Sequence, residues 1–387
     1  MSFDFDEIID RTGTQSVKYE AGRGRTPHLP EDALPLWIAD MDFATPAPVL
    51  DAMRARLERR ILGYTTIDDP AYLDSVVGWM QRRFGWTVDP AHIAFSAGIV
   101  ATLYAAVDIL TKPNDEVLIM TPAYHPFEQA VRSLGRRPVF NRLCNRDGYY
   151  TIDFADLERK LSAKSCRMLF WCSPQNPTGR VWTQDELTDV GRLCFANDVF
   201  VVSDEIHFDL VRQGVQHTPL AKLFPNEKRI VTCTSPSKTF NIAGNRHANI
   251  IIPDDDVRAK WRHSAYCGHP GPLSVAATMA AYNACEDWLE ALKAYLDGSF
   301  AMMADVIQTT MPKAKFRIPE GTYLGWVDLS GYGYSERELN ERISGGGVFV
   351  QFGEDFVADG ACFMRINLAC PRSSLSEALR RIAAALN

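Results

Sequence analysis

The sequence of 387 residues predicts an α/β protein, a mostly parallel sheet covered by helices on both faces with a smaller α+β unit beside it. Three observations predict it. From about Pro46 to Asn283, short apolar runs alternate with amphipathic stretches, as strands buried on both faces do between crossover helices. Beyond that, strand-like runs are followed by a closing helical one, an α+β order. No period of a solenoid or propeller repeat is visible. The expected organisation is a large domain over 46–284, a small domain over 285–387, and a segment 1–45 that joins the small domain.

In chain order, the expected strands of the large sheet are "HIAF" from His92, "EVLIM" from Glu116, "RPVFN" from Arg137 and "RMLFWC" from Arg167. "VFVVS" from Val199, "RIVTCT" from Arg229 and "ANIII" from Ala248 complete it. Helical patterns such as "IVATLYAAVDIL" and "DELTDVGRLCFAN" lie between them. In the small unit, "GTYLGWVDL" from Gly321, "VFVQF" from Val348 and "CFMRINLA" from Cys362 read as strands, and "SLSEALRRIAAALN" as the closing helix.

Composition narrows the class. Hydrophobic content of 46% and charged content of 23% suit a globular chain with a large core. A net charge of −7 without a basic stripe argues against a nucleic-acid partner. No stretch approaches the roughly 20 apolar residues of a membrane span. The start, "MSFDFDEIID", is acidic and has no apolar core of a signal peptide. Nine cysteines without a CxxC or Cys/His cluster suit reduced thiols and no metal site, so the expected location is the cytoplasm.

The chemistry-bearing residues recur at one kind of place. Ser96, Tyr124, Asn176, Asp204 and Lys238 each stand just past a predicted strand. Open α/β sheets bind ligands outside the carboxyl ends of their strands, so these groups converge on one rim. Lys238, in "TSPSKTFNIAGNR", can be a nucleophilic amine if desolvated, or a lysine that snorkels to solvent. The S-x-x-K hydrolase alternative also needs S-D-N and K-T-G, and the chain reads "SDE" and "KTF". Asp204 can cap a helix or hold a protonated pyridine nitrogen. Asn176, in "SPQNPTGR", is ordinary turn chemistry when taken alone. Ser96-Ala97-Gly98 leads into a helix whose free N–H groups suit a phosphate, and Ser235 and Arg246 could serve the same phosphate. Tyr124 could stack on a flat ring or simply pack. Jointly these groups call for a flat ring bearing an aldehyde, a basic nitrogen and a phosphate. Pyridoxal 5′-phosphate has those features.

"SPQNPTG", "SDEIH" and "SPSKTFNIAG", in that order and spacing, resemble fold-type I pyridoxal-phosphate enzymes of the aminotransferase superfamily. More narrowly, "LPLWIADMDFATP", "GYTTIDDPAYLDSVVGWM", "IDFADLERKL", "EGTYLGW" and "FMRINLACPRSSL" resemble the MalY/PatB branch, the cystathionine β-lyase-like C–S lyases. The resemblance implies that Lys238 binds the cofactor covalently, Asp204 pairs with the ring nitrogen, Asn176 bonds the ring hydroxyl and Tyr124 stacks on the ring. It implies a phosphate held by Ala97, Gly98, Ser235 and Arg246, with Ile99, Ser237 and His207 also at the cofactor. Lys238, Asp204 and Tyr124 are the implied catalytic residues. Arg365, with Asn176 and Asp42, is the implied site for the substrate carboxylate. Tyr64 matches a tyrosine lent by a neighbouring subunit, which implies a homodimer. His207 stands where most aminotransferases carry tyrosine, which favours a lyase acting on cystathionine or a cysteine S-conjugate. An aminotransferase, or a regulatory protein with secondary lyase activity, is the alternative. "FNIAGNR", "GHPGPLS" and "VKYE" depart from the branch pattern and bear on substrate identity.

Overall fold

The structure, a computed structural model, describes residues 3–21 and 29–387. The remainder of the predicted 1–45 segment lies outside the described residues. The seven runs expected to be strands form one sheet: β1 (Ile93–Ser96), β2 (Glu116–Thr121), β3 (Arg137–Arg142), β4 (Cys166–Cys172), β5 (Phe200–Asp204), β6 (Ile230–Thr234) and β7 (Ala248–Ile251). Their order across the sheet is β1-β7-β6-β5-β4-β2-β3. Only β7 runs against its neighbours, pairing antiparallel with β6 and β1.

Period-2 alternation explains why these runs are apolar throughout. Leu118, Leu169, Trp171, Val201 and Ile230 enter one core cluster, while Val117, Ile119, Phe170, Val202 and Val231 enter another. The central strands β2, β4, β5 and β6 therefore bury both faces, whereas of the edge strand β3 only Asn141 is buried. The helices that cover them start on sequence-encoded caps. The helix Gln184–Ala196 opens on a Thr183/Glu186 capping box, and Asp69 caps Pro70–Phe84.

The C-terminal part builds a four-stranded antiparallel sheet from β8 (Lys315–Phe316), β9 (Leu324–Asp328), β10 (Gln351–Phe352) and β11 (Phe363–Asn367), in the order β8-β9-β11-β10. Helices Glu286–Thr310, Glu336–Gly345 and Arg372–Leu386 accompany it. "VFVQF" is two short strands rather than one. Val348–Phe349 pairs parallel with Leu34–Pro35, whereas Gln351–Phe352 pairs with β11, so Val350 marks a change of partner. No described helix is long and apolar enough to cross a membrane.

Candidate active site

Parallel pairing puts the carboxyl ends of β4, β5 and β6 side by side. Asp204, the last residue of β5, lies opposite Cys172 on β4 and Cys233 on β6. Asn176 follows four residues after Cys172, and Lys238 lies in the short helix Pro236–Thr239 just past β6. Arg365 reaches the same rim from β11, donating from Nη1 to Asn176 Oδ1 at 3.0 Å and from Nη2 to Trp37 O at 3.0 Å. Gln351 Oε1 also accepts from Arg365 Nη2.

The electrostatics follow from burial. Asp204 is 4% exposed, and desolvation pushes its carboxyl up to about 7, against the Ile206 N–H and the nearby Lys238 ammonium. Its Oδ1 accepts from Ile206 N at 3.2 Å. Desolvation likewise drives the half-buried Lys238 amine down to about 8, helped by the Arg365 charge and opposed by Asp40 and Asp204. Lys238 Nζ donates to Ala39 O, which also accepts from Tyr323 OH at 3.0 Å. His207 is buried and neutral, its pKa lowered to about 3 by burial and by the Lys238 and Arg365 charges. Its Nδ1 is buried without a hydrogen-bond partner, and its ring lies edge-on to Tyr323 at 5.9 Å. Burial lowers the Arg365 pKa to about 10 and raises that of Tyr124. Tyr124 is fixed by a two-residue bridge in which it faces Phe356.

Beside this cluster lies a cradle for an anion. The helix Ile99–Leu110 begins at Gly98 with no side-chain cap, so its first N–H groups are free for a ligand. Gly98 has φ 100°, and a Cβ there would meet nothing within 4 Å. The space above the helix start is open. Ser235 Oγ donates to His247 O at 2.6 Å and lies 2.8 Å from Ser237 Oγ. Ala248 pairs with Ser96, which brings the Ser235 and Arg246 segment next to Ala97. Arg246 is exposed with φ 46°.

The donor set fits pyridoxal phosphate: a desolvated amine, a buried acid, an unpartnered imidazole nitrogen and an uncapped helix start share one rim. Two expected residues stand apart from it. Tyr64 is fully exposed, and none of the described residues bonds to its hydroxyl. Asp42 spends both carboxylate oxygens on cations, Oδ2 on Lys18 at 2.6 Å and Oδ1 on Arg11 at 3.1 Å. A carboxylate so engaged, and of the same sign as the substrate carboxylate, cannot itself bind that group. Sequence reasoning attached no role to Tyr323, Gln351 or the Trp37 and Ala39 carbonyls. Tyr323, Trp37 and Ala39 lie inside the quoted motifs "EGTYLGW" and "LPLWIADMDFATP", which were the available signal.

The architecture is that of the fold-type I pyridoxal-phosphate-dependent transferases. The chain belongs to the aminotransferase class I and II family, whose model matches residues 31–382. It is 43% identical to cystathionine beta-lyase PatB of Bacillus subtilis, over 99% of this chain and 100% of that one. It is 32% identical to protein MalY of Escherichia coli, over 97% and 96%. The PLP-bound C–S lyase from Staphylococcus hominis, solved with the inhibitor L-cycloserine, superposes with a TM-score of 0.96 at 40% identity, covering 100% of this chain and 99% of that one.

Proposed function

We propose that the protein is a pyridoxal-phosphate-dependent carbon–sulfur β-lyase that cleaves L-cystathionine or related cysteine S-conjugates. The products are a thiol, pyruvate and ammonia. The observation that carries this reading is the meeting of Lys238, Asp204 and the Arg365–Asn176 pair on one rim beside an uncapped helix start.

Bound there, the cofactor supplies a carbonyl for an amine and a ring that draws electrons from the substrate α-carbon. Lys238 would hold it covalently, and Asp204 would keep its ring nitrogen protonated. Asn176 and His207 would face the ring edge and Tyr124 its face. Ala97, Gly98, Ser235 and Arg246 would hold the phosphate, with Ile99 and Ser237 also at the cofactor. Arg365 binds the substrate α-carboxylate through its planar fork, with Asn176 fixing one arm. Freed once the substrate amine takes its place, Lys238 Nζ would take up the α-hydrogen as a proton. Burial, which lowers the Lys238 pKa to about 8, enlarges the neutral, proton-accepting fraction well beyond that of an ordinary lysine. Loss of that proton and of the β-sulfur forms a carbon–carbon double bond, and water then completes the conversion to pyruvate and ammonia.

A homodimer in the cytoplasm belongs to the same proposal. Exposed Leu57, Ile61 and Leu62 beside Tyr64 support a subunit contact there. The division at 46–284 and 285–387 is supported by the separate sheet and core of the C-terminal part. Purified protein supplied with pyridoxal phosphate and L-cystathionine should release pyruvate and thiol in equal amounts with no 2-oxo acid added as amino acceptor. Amino transfer that requires a 2-oxo acid, with no thiol released, would make it an aminotransferase instead.

A further inference from the structure

The backbone of residues 37–41 crosses the site outside any strand, yet side chains take up its carbonyls one after another. Trp37 O accepts from Arg365 Nη2 at 3.0 Å, and Ile38 O from Asn367 Nδ2 at 2.8 Å. Ala39 O accepts from Lys238 Nζ and Tyr323 OH. Asp40 O accepts from Lys18 Nζ at 2.9 Å and Asn367 Nδ2 at 2.7 Å, and Met41 O from Arg11 Nη1 at 3.1 Å and Asn241 Nδ2 at 3.2 Å. Backbone without a ladder partner needs such donors when it leaves water. The consequence is mechanical. The amine that moves the proton and the guanidinium that grips the substrate both hang on this strap, two residues apart.

The other end of the strap is anchored by a residue that bonds neither Lys238 nor Arg365. Lys18 is 0% exposed, and its ammonium lies between Asp40 O and Asp42 Oδ2, 2.6 Å from the latter. Arg11 closes the arrangement on Asp42 Oδ1 at 3.1 Å and Asp40 Oδ2 at 2.7 Å. Trp37 Nε1 donates back to Lys18 O at 2.9 Å. A buried ammonium is tolerated only when paired, and such pairs serve specificity of arrangement more than stability.

We propose that Lys18 is a positioning residue for the reaction: locked onto Asp42 and Asp40 O, it sets the register of residues 37–41 and so the spacing between Lys238 and Arg365. This rests on the lyase reading. Its test compares full-length Lys18→Met with Val257→Ala, a core truncation in the helix Asp255–Arg262 whose core cluster contains no residue of 36–43. Both variants should lower the thermal midpoint. Only Lys18→Met should raise KM for L-cystathionine, at least tenfold, and lower kcat severalfold. In the apoprotein, only Lys18→Met should speed hydrogen exchange in peptides covering 36–43, at least tenfold. KM within twofold of wild type, or equal changes in the two variants, would overturn the proposal. If Lys18→Met does not fold, Arg11→Gln replaces it, with the same expected KM and exchange changes and the same contrary result. A wild type that takes up no pyridoxal phosphate would refute the lyase reading, while the apoprotein exchange still decides whether Lys18 holds the strap.

Discussion

The carboxyl rim of the large sheet and the strap at 37–41 touch the same two groups, Lys238 and Arg365, in opposite ways. The rim contributes side chains whose charge and protons are the chemistry. Asp204 and Lys238 are desolvated there until one titrates near 7 and the other near 8. The strap meets them through backbone oxygens that fix where the side chains point. Its one charge, the Asp40 carboxylate, is paired with Arg11 and acts on Lys238 only through space. Rim substitutions should therefore remove catalysis, whereas strap substitutions should blur it.

The largest effect is expected at Lys238. Lys238→Ala removes both the covalent attachment and the base, and kcat should fall by about 10³-fold or more. Steady-state pyruvate release checks this, and a variant retaining a tenth of the activity would move the base elsewhere on the rim.

Asp204→Asn should cost about 10²-fold in kcat, the order seen when one preorganised electrostatic group is lost. It carries a second signature in the apoprotein. The folded chain keeps the Asp204 carboxyl protonated up to about pH 7, whereas an unfolded chain loses that proton near 4. Between those values the folded state binds more protons, so stability falls as pH rises from about 4 to 7. The asparagine variant lacks this loss. Denaturant titrations should show its stability gaining on wild type across that window, and parallel curves would mean that Asp204 is already ionised when folded.

Arg365→Lys keeps the charge and loses the fork. A charge-assisted pair is worth about 1.5–3 kcal/mol, so KM should rise roughly ten- to hundredfold while kcat changes less. A fall in kcat alone would assign Arg365 to the chemical step and erase its kinship with the strap.

The smallest effect belongs to the strap itself. Tyr323→Phe removes one of the donors on Ala39 O, a loss of about 1 kcal/mol. KM and kcat should each shift only a few-fold, measured against the same substrate.

The same contrast explains what the sequence revealed. Asp204, Asn176 and Lys238 were legible because each is a polar residue standing just past a continuous apolar run that reads as a strand. Position after a strand then did the rest, since parallel pairing aligns the strand ends. The strap was illegible because carbonyl recognition leaves no mark on residue type: Ala39 is an ordinary alanine. Asp42 was read as part of the substrate carboxylate site from its motif, but its charge is spent on Lys18 and Arg11, a pairing that brings together residues 24 and 31 positions apart. "VFVQF" read as one strand because its pattern is continuous, and the switch of partner at Val350 depends on Leu34–Pro35, far off in the chain.

Borohydride reduction of the pyridoxal-phosphate-loaded protein, followed by peptide mass mapping, tests the central claim most directly. The account predicts that the cofactor is fixed on the "TSPSKTFNIAGNR" peptide, at Lys238. Fixation on another lysine, or none at all, would contradict it.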